Sequence, residues 1–99
     1  MKKTPLSIRS IRFIERNNLE NEKVKNYVTS LVENVFKIKE YCFKIHEVYG
    51  TCLCVNNYIF FLDKKYIELK LLKEEKVIKL FYGDSCWYQG LKYLKDNLL

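Results

Sequence analysis

The spacing of apolar residues predicts helices at both ends of the chain. Ile8, Ile11 and Ile14 recur three residues apart and indicate a short amphipathic helix over 5–16, within an N-terminal segment of residues 1–18. Apolar residues at helical spacing predict a longer helix over 20–37. A last helix is predicted over 85–98, where the apolar stripe is Trp87, Leu91, Leu94 and Leu98.

From Tyr41 onward the apolar period changes to two, which is typical of strands. The predicted strands, within a sheet over 41–82, are 41–48, 51–55, 58–63, 66–72 and 76–82. Short turns separate them: Tyr49-Gly50, Asn56-Asn57, Lys64-Lys65 and Glu74-Glu75. Strands joined by such short turns predict an antiparallel meander of four to five strands.

The register can be predicted from the turns. If the last three turns each contain two residues, Val55 faces Tyr58, Leu62 faces Ile67, and Leu71 faces Ile78. One face is then uniformly apolar: Leu53, Val55, Tyr58, Phe60, Leu62, Ile67, Leu69, Leu71, Ile78, Leu80 and Tyr82. In the first hairpin, a three-residue loop with a glycine bulge adds Phe43 and Ile45 to this face.

The opposite side of the sheet, which we call the second face, has a mixed composition. Its predicted members are Cys52, Cys54, Ile59, Phe61, Glu68, Lys70, Val77, Lys79 and Phe81. We expect the helices 20–37 and 85–98 to pack on the apolar face. The predicted fold is therefore α+β, with two N-terminal helices, the meander, and a C-terminal helix on the apolar sheet face. The order of elements over 41–98 resembles that of small single-strand-binding coactivator-like proteins, a resemblance of topology alone.

Length and composition predict one domain over residues 1–99. The chain is 48% hydrophobic and 15% aromatic, which supports a core without metal or disulfides. The longest stretch without a charge, 48–62, has 15 residues, whereas a membrane-spanning helix needs about 20. With no export signal expected, the four cysteines are predicted to be thiols in the cytoplasm. The sequence contains no Ala and is rich in residues with AT-rich codons, which suits a phage, virus or mobile element.

Positive charge is concentrated at the N-terminus. The net charge of the chain is +6. Residues 1–16 alone carry +4, because this segment contains five basic residues and one acidic residue, Glu15. Those basic residues are Lys2, Lys3, Arg9, Arg12 and Arg16. Guanidinium groups on one side of a helix match phosphate oxygens, so this patch predicts a nucleic-acid or acidic-protein contact. The alternative is a solvated basic face that only aids solubility.

The second face predicts an additional contact with nucleic acid. Phe61 and Phe81 would stack on bases, and Lys70 and Lys79 would lie near phosphates. The alternative, which we favour, is that the first helix or a second subunit covers this face, since the apolar stripe of that helix must be buried. A dimer joined through the second face is a further reading.

The residues with catalytic or metal-binding chemistry do not form a recognisable motif. Cys52-x-Cys54, with Cys42, Cys86 and His46, lacks the spacing of structural zinc sites. Cys86 in the first turn of a helix and His46 as base would need a contact that no spacing implies. We therefore predict neither an enzyme, a metal nor a cofactor.

Two functional hypotheses follow from these patterns. The first is a small non-catalytic protein that binds nucleic acid through its N-terminal Arg/Lys patch, with affinity that falls steeply with salt. The alternative is a phage- or virus-encoded inhibitor or adaptor of the anti-CRISPR-like, anti-defence type. Such a protein would bind an acidic protein surface and occlude a host complex.

Overall fold

The computed structural model describes residues 8–99 and contains three α-helices, a π-helical turn and five strands. The helices are α1 (Ile8–Asn17), α2 (Glu22–Ser30), which continues into the π-helical turn (Leu31–Val35), and α3 (Cys86–Asn97). The strands are β1 (Cys42–His46), β2 (Gly50–Val55), β3 (Tyr58–Asp63), β4 (Glu68–Lys73) and β5 (Lys76–Phe81). Lys2, Lys3 and the predicted start of the first helix lie outside the described residues.

Local chemistry explains where the second helix begins and ends. The side chain of Asn21 accepts a hydrogen bond from the Lys23 backbone N–H at 3.0 Å, which caps the first turn of α2. After the π-helical turn, Lys37 adopts a left-handed conformation with φ +55° and reverses the chain. Ile38 then returns to the core and donates from its backbone N–H to the Val32 carbonyl at 2.8 Å.

The sheet is the predicted meander. Its strand order is β1-β2-β3-β4-β5, and every neighbouring pair is antiparallel. The structure therefore confirms the α+β fold, with two N-terminal helices, one antiparallel sheet and a C-terminal helix packed against it. In the described part of the chain, no helix is long and apolar enough to cross a membrane.

One side of the sheet, which we call the helix-covered face, forms the core. Apolar residues of β2, β3 and β4 pack there against α2 and α3, so the predicted partners of this face are confirmed. Trp87 of α3 is 1% exposed, and its ring centroid lies 5.9 Å from that of Phe60. Gly90 lets α3 approach the sheet closely, since a Cβ there would lie 2.9 Å from the Phe60 ring.

The pairs Val55–Tyr58 and Lys73–Lys76 confirm the predicted two-residue turns between them, and the other two turns differ in outcome. In the first hairpin, His46 pairs with Gly50, so the loop between them has the three predicted residues, 47–49, and Gly50 has φ +72°. Phe43 and Ile45 lie on the helix-covered side, as predicted. In the β3–β4 connection the predicted pairing of Leu62 with Ile67 is wrong, because Leu62 pairs with Leu69. The turn is longer because Asp63 accepts the backbone N–H groups of residues 65 and 66.

The face assignment of β5 is wrong beyond its first two residues. A β-bulge between Leu71 and Leu72 makes Leu71 pair with Lys79, so Ile78 is the extra residue. A shift of one residue exchanges the two faces. Phe81 therefore lies in the core rather than on the second face, and Lys79 also lies on the helix-covered side. Leu80, which was predicted to lie on the apolar face, is paired with Lys70 and lies on the second face.

The orientation of α1 also differs from the prediction. Ile8 and Ile11, expected to be buried, are 70% and 43% exposed. The buried residues of α1 are Phe13 and Asn17, four apart on the same side, and Phe13 belongs to the core on the helix-covered face. The prediction that α1 or a second subunit covers the second face is therefore not supported for α1.

Substituting Gly90 tests the close contact between α3 and the sheet. Gly90→Ala should destabilise the protein by about 1–2 kcal/mol, because overpacking against Phe60 outweighs the gain of about 1 kcal/mol in helix propensity. Urea unfolding measures the difference. The exposed position Lys95→Ala in the same helix should change stability by less than about 0.5 kcal/mol. A stabilised Gly90→Ala variant would contradict the described packing.

Candidate functional site

The position of α1 is set by a buried polar contact with α3. Asn17, 1% exposed, donates from its side-chain amide to the Phe13 carbonyl at 2.9 Å. Its own backbone carbonyl accepts the indole N–H of Trp87 at 2.8 Å, and its side-chain oxygen accepts the Cys86 thiol at 3.4 Å. A buried amide is stable only when its polar atoms are paired, so these bonds hold α1 in one orientation.

This orientation brings the three arginines of the chain to one groove, which we call the arginine groove. Its volume is about 620 Å³. One wall is α1. The other wall consists of Ile67, at the end of the β3–β4 turn, and of Gly83 and Asp84 in the β5–α3 loop. The lining residues are Arg9, Ser10, Arg12, Phe13, Arg16, Ile67, Gly83 and Asp84. Three of the predicted binding residues are thus brought together in space.

The guanidinium groups of the groove are largely available. All three arginines are exposed, and only Arg16 has an ion-pair partner within residues 8–99, Asp84 at 3.0 Å. Both side chains of that pair are more than half exposed, 61% and 66%, and such surface pairs contribute about 0–1 kcal/mol. Replacing Asp84 with an incoming anion would therefore cost little.

On the second face, Phe61 is covered by the first hairpin. The ring of Tyr49 stacks on Phe61 with centroids 4.3 Å apart, and His46 stacks on Tyr49 at 4.4 Å. Nδ1 of His46 accepts the backbone N–H groups of Val48 and Tyr49, which fixes the loop. Phe61 is only 7% exposed, so its predicted role as a stacking platform for bases is not supported by this geometry.

Lys70 lies beside Phe61, as predicted, but its charge is neutralised within the protein. Its Nζ is 2.8 Å from Asp63 and 3.7 Å from Glu68, and all three side chains are less than one-fifth exposed. The hydrogen bond to Asp63 raises the pKa of Lys70. Burial acts to raise the pKa of Asp63, but the bonds from Lys70 and from two backbone N–H groups outweigh it, so that pKa is lowered. One ammonium between two carboxylates is poorly suited to bind a phosphate.

The two remaining predicted residues of the second face lie elsewhere. Phe81 is 6% exposed, and its ring packs against Tyr93 of α3 with centroids 5.8 Å apart. Lys79 stands over the same Tyr93, with Nζ 5.3 Å from the ring centroid. The bulge in the β4–β5 pair is the physical reason for both corrections, and neither residue joins Phe61 and Lys70.

The cysteines with candidate chemistry occupy different environments. Cys86 is fully buried, and burial raises its pKa to about 12, so the thiol stays protonated and is a poor nucleophile at neutral pH. Burial likewise raises the pKa of Cys52 to about 11. Within residues 8–99, no group of three or more His, Cys, Asp or Glu side chains could hold a metal ion.

Sequence reasoning missed the residues that complete the arginine groove. Ile67, Gly83 and Asp84 come from loops at least 50 residues away from α1, and no periodic pattern connects them with the arginines. Tyr66 and Tyr82, which precede Ile67 and Gly83 in the chain, are 60% and 56% exposed. The sequence carried no signal for this wall of the groove, because Ile67 and Tyr82 were both predicted to lie in strands on the apolar sheet face.

Comparison with known protein families, with curated proteins and with solved structures finds no match to this chain.

The ion pair between Asp63 and Lys70 predicts a pH-dependent contribution to stability. The lowered pKa of Asp63 means that the folded state favours the charged carboxylate. Its contribution to the free energy of unfolding is therefore complete above the pKa of Asp in the unfolded chain, about 3.9. This contribution is lost as the pH falls through the lower pKa of Asp63 in the folded state. Asp63→Asn should therefore cost about 1 kcal/mol at pH 7, and the difference from the unchanged protein should shrink at about pH 3. Urea unfolding at both pH values measures this. An equal cost at both would show that the charge of Asp63 contributes nothing.

Proposed function

We propose that this protein is a non-catalytic nucleic-acid-binding protein that holds the phosphate backbone in its arginine groove. The observation that supports the proposal is the convergence of Arg9, Arg12 and Arg16 on one groove, with Arg9 and Arg12 lacking an ion-pair partner in the described chain. Guanidinium groups bind phosphate oxygens through paired, charge-assisted hydrogen bonds, which are stronger than neutral ones.

The spacing of the arginines suits a row of phosphates. Arg9 and Arg16 lie seven residues apart on α1, which corresponds to about 10 Å at about 1.5 Å per residue. The phosphates of one strand of a DNA duplex rise about 3.4 Å along the helix axis and also wind around it, so the stripe is long enough to reach about two to three of them. The groove also contains Gly83, around which the space is open, and this leaves room for an approaching backbone.

This interface is narrower than the sequence suggested. The predicted platform of Phe61 and Lys70 is not free, since Phe61 is covered by Tyr49 and Lys70 is paired with carboxylates. Contacts would be mainly to phosphate, which position a protein on nucleic acid without reading sequence. We therefore propose weak sequence preference and strong salt dependence. Lys2 and Lys3, which precede α1 in the chain, would add to the attraction.

Fluorescence anisotropy with labelled single- and double-stranded oligonucleotides tests this proposal. Each phosphate neutralised contributes a slope of about −0.9 for duplex DNA in a plot of log K against log salt. Replacing Arg9, Arg12 and Arg16 together with Ala should reduce the steepness of that slope by about 2.5 and weaken binding at least about tenfold at low salt. Circular dichroism checks that the variant folds.

A charge-matched control separates the groove from overall charge. Lys23, Lys39 and Lys95 are exposed and lie outside the groove, so replacing all three with Ala removes the same charge. This control should keep most of the affinity. Equal losses in the two triple variants would reduce the proposal to non-specific attraction, and no binding even at low salt would refute it.

A second candidate function is an inhibitor or adaptor that binds an acidic protein surface, as in a phage or viral anti-defence protein. The observation that favours it is the exposure of Ile8 and Ile11 on the same helix as the arginines, since apolar anchors beside Arg are typical of protein interfaces. Ile8→Ser with Ile11→Ser distinguishes the two. It should leave nucleic-acid affinity nearly unchanged under the first proposal and abolish a stable protein complex, detected by pull-down, under the second.

A further inference from the structure

Two thiols face each other across the first hairpin. Cys42 of β1 is the direct cross-strand partner of Cys54 of β2, and both are free. Directly opposed residues in antiparallel strands point to the same face, with Cα atoms about 4.5–5.5 Å apart. That separation falls within the range of about 4.4–6.8 Å that a disulfide bridges.

The environment of Cys54 shows that the two sulfurs are neighbours. The pKa of the Cys54 thiol is raised, mainly by burial and next by the charge of the neighbouring Cys42 sulfur. A hydrogen bond between the two side chains raises it as well. Lys44, the second residue of β1 after Cys42, opposes the shift. Cys42 itself is exposed at the start of an edge strand, so an oxidant in solution can reach it.

We propose that Cys42 and Cys54 form an oxidation site that a hydroperoxide converts into a reversible cross-strand disulfide. With hydrogen peroxide, the Cys42 thiolate attacks one oxygen, the O–O bond breaks, and the departing hydroxide takes a proton from solvent, so that a sulfenic acid and one water form. The Cys54 sulfur then attacks the Cys42 sulfur, the S–S bond forms, and the hydroxyl leaves as a second water with the Cys54 proton. The sulfurs lose two electrons, the peroxide gains them, and a thiol reductant reverses the reaction.

The other cysteines do not compete for this bond. Cys52 is 2% exposed, and its thiol donates to the Gly50 carbonyl at 3.4 Å. It lies two residues from Cys54 on the same strand, about 6.8 Å away at about 3.4 Å per residue, with nearly parallel Cβ vectors. Cys86 is buried in the core on the helix-covered face and is bonded to Asn17.

The disulfide would tie the edge strand to the sheet. β1 is mostly exposed and pairs on one side only, so it is among the strands that open most readily. Cross-linking Cys42 to Cys54 closes a short loop and reduces the freedom of the unfolded chain. The oxidised protein should unfold at a temperature higher by about 5 °C or more. This inference does not depend on the proposed function, since the arginine groove is built from other elements.

The experiment is a peptide map of the folded 99-residue chain after treatment with hydrogen peroxide, followed by alkylation of the remaining thiols. Trypsin cleaves after Lys39, Lys44 and Lys64, so the expected bond joins the peptides 40–44 and 45–64. Cleavage after Leu53 with chymotrypsin separates Cys52 from Cys54 and shows which sulfur takes part. We expect the pair 42–54, lost on treatment with dithiothreitol.

Two serine variants provide matched controls. Cys54→Ser should abolish the linked peptide and leave a sulfenic or overoxidised Cys42, whereas Cys52→Ser should retain the link if circular dichroism shows that it folds. A bond to Cys52, a dimer joined through Cys42, or overoxidation of Cys42 in the unchanged protein without any link to Cys54 would each overturn the proposal. The chymotryptic map of the unchanged protein decides the matter even if Cys52→Ser fails to fold.

Discussion

The arrangement of the N-terminal helix depends on one buried hydrogen bond, from the indole N–H of Trp87 to the backbone carbonyl of Asn17. Trp87 also packs on Phe60 of the sheet, so the same side chain connects α1, α3 and β3. Removing one partner would leave a buried polar group unpaired, at a cost of about 1–3 kcal/mol. Helix α1 is therefore held by this hydrogen bond as well as by the burial of Phe13. Because the helix is fixed, the side of it that carries the arginines is fixed as well.

A second constraint, the bulge in the β4–β5 pair, decides what each face of the sheet can do. It places Phe81 in the core under Tyr93 and moves Lys79 to the helix-covered side. The second face retains Lys70, which two carboxylates neutralise. Of the cations predicted to bind an anion, Lys70 and Lys79 are therefore separated, and only the three arginines of α1 line one groove.

Much of the fold could be predicted because most of its signals are local. Alternation of apolar residues determined β2, β3 and β4, and Gly50 and Asn56-Asn57 marked turns whose conformations the structure confirms. The bulge could not be predicted, because Val77, Ile78, Leu80 and Phe81 are apolar on both faces and allow either register. The orientation of α1 was missed for a similar reason, since its isoleucine stripe was more regular than the side formed by Phe13 and the polar Asn17.

The candidate site was partly predictable. The charge run indicated the arginines, but the opposite wall of the groove comes from distant loops, and only tertiary packing brings Ile67 and Gly83 to α1. The pairing of Lys70 with Asp63 and Glu68 was equally hidden, since it depends on two neighbouring strands and the turn that joins them. Charge composition indicates an anionic partner, but only the structure shows which cations are free to meet it.

The most direct test of the central claim is an NMR titration of ¹⁵N-labelled protein with a short oligonucleotide at low salt. If nucleic acid binds in the arginine groove, the side-chain Nε–H signals of Arg9, Arg12 and Arg16 and the backbone amides of Ile67 and Gly83 should shift together and saturate. Those of the second face, such as Phe61 and Lys70, should stay in place. Shifts confined to the second face, or none at a concentration that saturates an oligonucleotide-binding protein, would contradict it.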